Sequence, residues 1–192
     1  MSSNRMLQFA FFSLLLNIAF STYHVVFGVI TSSWWLFSLG IYYAILSLVR
    51  FAVLRHRGGK GFLLRFTGIM LMMLSVSLVG PVILAFVRDR GTVFPLIPML
   101  TIAVYAFTKI TFAAANWIKG RKRMPARVLA LRNISLADAF VSIFSLQRSM
   151  LVSFEGMSDG DIRIMNVATG SGVCIVVFLL GLNLICSQQP RR

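Results

Sequence analysis

Two stretches of this sequence carry polar side chains at helical spacing within apolar surroundings. Thr101, Tyr105, Thr108, Lys109 and Asn116 form the first set; Ser135, Asp138, Ser142, Ser145 and Ser149 form the second. On a helical wheel each set occupies about a quarter of the circumference. An ammonium or a carboxylate facing hydrocarbon costs about 2.5–3.5 kcal/mol on insertion scales. The two polar faces should therefore turn toward each other. Depth supports this, because Lys109 lies about 15 Å inside Lys119 and Asp138 about 9 Å inside Arg132. A lysine stem spans the difference of roughly 6 Å, and an ion pair between Lys109 and Asp138 is expected.

Such a pair can serve either of two ends. It can be a satisfied interhelical network that fixes packing. Alternatively it can line a hydrated path for a proton, a cation or a small solute, with Asp138 changing protonation and Lys109 as its counter-charge. Arg148 lies about 15 Å from Asp138 along the same helix and cannot share it. It is expected near the outer face, snorkelling or meeting Glu155, while Gln147 points to nearly the opposite side.

The remaining chemistry-bearing residues are sparse. His24 and His56 are the only histidines, and they do not form the facing pair that b-type haem between helices requires. Glu155, Asp159 and Asp161 surround Gly160 but lack the ligand ladder of a calcium loop, so a solvated turn is expected. Cys174 and Cys186 would stand about 18 Å apart on one helix, beyond the reach of about 7 Å for a disulfide. No cofactor or metal is implied.

Known membrane enzymes need residues that this chain does not offer. A CDP-alcohol phosphotransferase requires a ladder of aspartates, and intramembrane CAAX-type proteases require paired glutamates, whereas Glu155 is the only glutamate. Lipid phosphatases need two histidines beside an arginine and a lysine. A rhomboid-like protease needs a Gly-x-Ser-x-Gly type geometry with an intramembrane histidine. General acid–base catalysis thus has little support, and the reading is of a protein that is not an enzyme.

The elements that must hold the polar stripes follow from composition. The chain has 192 residues, of which 58% are hydrophobic and 12% charged; soluble domains run nearer a quarter charged. The fold class expected is all-α: a polytopic transmembrane helical bundle forming one integral membrane domain. Six spans are predicted, at about 6–30, 33–54, 62–87, 94–118, 133–154 and 166–187. Trp34 and Trp35 suit the headgroup level, Pro81 should kink the third span, and Ala168, Gly170 and Gly172 form a small-residue packing face. The apolar run after Arg5 is too long for a signal-peptide core and lacks a small-residue cleavage site.

A net charge of +14 would suggest nucleic acid in a soluble protein. Here the bases lie between apolar runs, without the soluble stacking platform that nucleic acid needs. Arg50, Arg55, His56, Arg57 and Lys60 close the second span, and Lys119, Arg121, Lys122 and Arg123 follow the fourth. By the positive-inside rule both loops and both termini are cytoplasmic, giving an N-in/C-in topology. Arg55, Arg57, Lys60, Lys119, Arg121, Lys122 and Arg123 are the candidate contacts to anionic lipid headgroups. No repeat of 20–50 residues is apparent, nor an inverted repeat of three plus three spans.

Tyr105-x-x-x-Lys109 with Asn116, then Ser135-Leu136-Ala137-Asp138-Ala139 with Val141-Ser142 and Ser145-Leu146-Gln147, resembles a family of uncharacterised multi-pass membrane proteins of bacteria, mainly Gram-positive. Asn166, Thr169-Gly170 and Cys174 fit the same pattern. The resemblance covers the chain from about Tyr105 onward and implies a bacterial plasma membrane, with no activity attached. The arginine-rich loops and Arg148 depart from it.

The function expected is that of a non-catalytic accessory or sensor-like subunit acting through helix contacts, with the bilayer and other membrane subunits as partners. The alternative is a small-solute or ion transporter, or the substrate-binding S component of an energy-coupling-factor transporter, using the polar face between spans four and five. S components are similar in size, helix number and placement of the termini, although the first helix lacks their Ala-x-x-x-Ala contact motif. A lipid-modifying enzyme has the least support.

Overall fold

The computed structural model describes residues 3–56, 59–87, 96–118, 125–153 and 158–187. Six helices account for these segments: α1 (Ser3–Ile30), α2 (Trp34–Arg55), α3 (Lys60–Val87), α4 (Leu96–Ile118), α5 (Ala126–Ser153) and α6 (Asp159–Cys186). Five are long and apolar enough to cross a bilayer, and the apolar stretch Met99–Ala115 of α4 is somewhat shorter. Apolar side chains also dominate the exterior, where Val29, Leu48, Met73, Val104 and Ile175 are all largely exposed. A soluble protein would bury such residues; a bilayer solvates them. The chain is an all-helical bundle of membrane-protein character.

Helices α1 and α2 form a tight hairpin, as do α4 and α5, while α3 packs along α6. The hub is α5, which packs on α2, α3, α4 and α6. It is also the predicted span with the most polar residues, and its core position explains how it tolerates them. The α1–α2 turn is closed by Ser32, whose φ of 50° lies in the left-handed region, and by Ser33 N–H donating to Gly28 O at 2.9 Å.

Small residues set the closest approaches. A Cβ on Gly68 would stand 2.7 Å from Gly181 O, and one on Gly181 would stand 2.7 Å from Gly68 O. The α3 and α6 backbones therefore touch, as glycine permits in membrane helices. Gly170 is similarly crowded by Val82 and Phe144, whereas Gly172 faces nothing within 4 Å. The small-residue face expected at 168–172 thus packs through Gly170 and not Gly172.

Other details add to the sequence reading. Helix α3 runs on through Pro81 to Val87. Trp34 is exposed, but Trp35 is buried edge-on against Phe144. Asp159 and Asp161 form the first turn of α6, not a loop: Ser158 caps it, accepting from Asp161 N–H at 3.2 Å and donating to Asp161 Oδ2 at 2.7 Å. Two acids at a helix N-terminus complement its dipole. Cys174 and Cys186 are free thiols.

The ends carrying the two basic loops meet. Arg127, at the start of α5, donates through Nη2 to the carbonyl of His56, which caps α2. The end of α2 and the start of α5 therefore lie on the same end of the bundle.

Candidate functional site: a buried ionic cluster on four helices

Asp138 sits at the middle of α5 and is wholly buried. Its Oδ2 accepts from Lys109 Nζ of α4 at 2.5 Å, from Arg50 Nη2 of α2 at 3.2 Å and from Asn17 Nδ2 of α1 at 3.0 Å. Three neighbouring helices thus converge on one oxygen. The Lys109 and Arg50 contacts are ion pairs, and both cations are buried with the carboxylate.

A second layer orients the first. Asn17 Oδ1 accepts from Tyr105 Oη at 2.9 Å and from Lys109 Nζ, so the amide is fixed in both halves. Ser13, one turn before Asn17, accepts from Arg50 Nη1 and from Lys109 Nζ, the latter at 3.2 Å. Arg50 Nη2 also reaches Ser135 Oγ at 3.3 Å. Ser142 donates to the Asp138 carbonyl at 2.7 Å and meets Tyr43 Oη at 3.2 Å. An aromatic wall closes the inner side: Phe20 stacks on Tyr105 with centroids 3.5 Å apart, and Tyr43 stands edge-on to both. His24 lies beside Phe20, its Nδ1 bonded to Phe20 O at 2.9 Å.

The charges do not balance. Two cations face one carboxylate, and the other acceptor, Asp138 Oδ1, is buried without a hydrogen-bond partner, as is Arg50 Nε. In a low-dielectric interior an uncompensated charge is expensive. At formal charges the cluster holds one cation more than anions.

Of the residues expected in the polar network, Tyr105, Lys109, Ser135, Asp138 and Ser142 are brought together. Ser145 and Ser149 are buried farther along α5, where Ser149 donates to the Ser145 carbonyl. Thr108 returns its hydroxyl to Val104 of its own helix, and Thr101 lies on an exposed face. The side chain of Asn116 lies outside the described residues. The network expected between α4 and α5 alone is in fact shared with α1 and α2, because each of those helices contributes a buried polar face.

Two placements need correcting. Arg50 belongs with the cluster and not with the basic loop after span two: it is 1% exposed and joins Asp138. Its place was legible: Tyr43, Ser47 and Arg50 share one face at spacings of four and three, and Ser13, Asn17, Ser21 and His24 form an equally clear stripe on α1. Arg148 does not snorkel: it is buried, with its guanidinium 4.5 Å from the Trp35 ring centre, a cation–π arrangement. Glu155 lies outside the described residues, as do Arg57, Lys119, Arg121, Lys122 and Arg123. Of the candidate lipid contacts, Arg55 and Lys60 are described and exposed.

No protein-family model matches this chain, and no curated protein sequence matches it.

Proposed function

We propose that this chain is a non-catalytic integral protein of a bacterial plasma membrane, six spans with both termini cytoplasmic, that works through contacts between its helices and other membrane subunits. The observation supporting this is the convergence of α1, α2 and α4 on Asp138 Oδ2. Such a knot fixes rotation and depth of four helices at once and gives the bundle one defined shape to present to a partner. The meeting of both basic junctions at Arg127 and His56 supports a common cytoplasmic face under the positive-inside rule.

A second reading, transport of a proton, an ion or a small solute, draws on the unbalanced charge of the same cluster. The two separate with one set of variants. Replacing Arg50, Lys109 and Asp138 together by Met, Met and Leu removes the charges but keeps side-chain bulk, a change that buried ion pairs often tolerate. Under the structural reading the triple variant folds in the membrane and retains its co-purifying subunits. Under the transport reading it folds but loses proton or ion flux in proteoliposomes that the native chain supports. Flux by the native protein that the triple variant abolishes would sink the first proposal.

A further inference from the structure

One turn outward from the ionic cluster, a cleft of about 680 Å³ opens between α1, α2 and α5, lined by Phe11, Leu14, Phe51, Leu54, Arg55 and Arg127. We propose that it is a seat for one anionic phospholipid of the surrounding leaflet, with the acyl chain along the four apolar residues and the phosphate between the two guanidiniums. This rests on the membrane reading above, but not on any role of the ionic cluster.

Three features point to this occupant. The lining divides by chemistry: the apolar residues come from within α1 and α2, whereas Arg55 ends α2 and Arg127 begins α5. That is the order of a lipid, tail inward and headgroup at the interface. The charges are complementary, since two guanidiniums present planar donor forks suited to phosphate oxygens, and no acid among the described residues lines the cleft. One of the arginines is also placed in advance. Arg127 is held by the His56 carbonyl, which bridges α2 to α5, so little side-chain ordering remains to be done on binding. Phe11 and Phe51 are about half exposed, which leaves the cleft open sideways to lipid.

Brominated lipids provide the test, because bromine quenches only tryptophans within contact distance. Phe51→Trp places a reporter in the cleft of the full-length protein, reconstituted in bilayers containing equal fractions of brominated phosphatidylglycerol or brominated phosphatidylcholine. The native tryptophans supply the background, read from the parent protein. Phosphatidylglycerol is expected to occupy the site in preference to phosphatidylcholine by about fivefold for each arginine, at about 1 kcal/mol per basic residue near a charged surface. Arg55→Gln with Arg127→Gln should abolish the preference while leaving quenching by either lipid.

Equal quenching by both headgroups in the Phe51→Trp protein would overturn the proposal without need of the arginine variants. So would suppression of the preference by soluble phosphate at millimolar level, which would mark a site for free anions. Quenching by both lipids that weakens as protein density rises would show a second copy of the chain in the cleft and overturn the proposal. Failure of every brominated lipid to quench any tryptophan would instead count against the membrane reading itself.

Discussion

The bundle is held by two seams built on opposite principles. Along α3 and α6 the backbones touch through Gly68 and Gly181, with no charge involved. Between α1 and α4 the backbones have no extensive contact, yet Asn17, Tyr105, Lys109 and the Phe20–Tyr105 stack join them through long side chains. Lipid tails are as apolar as leucine, so burying more leucine gives helices little reason to associate. Close van der Waals approach and interhelical polar bonds are the two remaining means. This chain uses each in a separate place. The glycine seam depends on shape alone, whereas the ionic seam depends on the count of charges.

That difference predicts how each seam fails. The largest effect is expected for Asp138→Asn, which leaves Arg50 and Lys109 facing one another without a counter-charge. About 3–5 kcal/mol of stability should be lost, as when one partner of a buried pair is removed, read from denaturant titration of the purified protein in detergent. Next comes Gly181→Ala, whose added methyl would stand 2.7 Å from a backbone carbonyl that cannot rotate away. Overpacking of this kind costs about 1–3 kcal/mol, and the loss should be unaffected by the charges of the other seam. The additivity of Gly181→Ala with Asp138→Asn tests that independence.

Lys109→Met should cost less than either. It forfeits the bonds to Asp138, Asn17 and Ser13 but leaves the Arg50–Asp138 pair one to one, and a net loss of about 1.5 kcal/mol, the low end for hydrogen bonds to a charged group, is expected. A loss equal to that of Asp138→Asn would mean that Lys109, not the carboxylate, is the centre of the cluster. The smallest effect, and one of opposite sign, is expected for Gly172→Ala. Nothing lies within 4 Å of the new methyl, so the gain in helix propensity of about 0.5–1 kcal/mol should appear undiminished as a raised unfolding midpoint.

Legibility differed along the same lines. The stripes on α4 and α5 stood out because Lys109 and Asp138 are charged and lie far from any loop. Arg50 lies little more than a turn before Arg55, so charge clustering groups it with the loop although its helical face groups it with Tyr43 and Ser47. Ser13 and Asn17 repeat the spacing of Asp138 and Ser142, but neither carries a charge that would single out its face within an apolar run. Gly68 and Gly181 gave no local signal, because a glycine in a membrane helix becomes informative only when the opposing backbone is known.

The sequence by itself determined that the chain folds into a series of long apolar helices, that bases cluster between them, and that a carboxylate and an ammonium lie where hydrocarbon would not tolerate them. These are local properties, set by run length and periodicity. Only the tertiary structure decided that one aspartate serves both cations, that α1 supplies the amide between them, and that the bundle closes at a glycine contact. Those outcomes depend on which helix faces come together in space, and side-chain spacing along one helix carries no record of its neighbours.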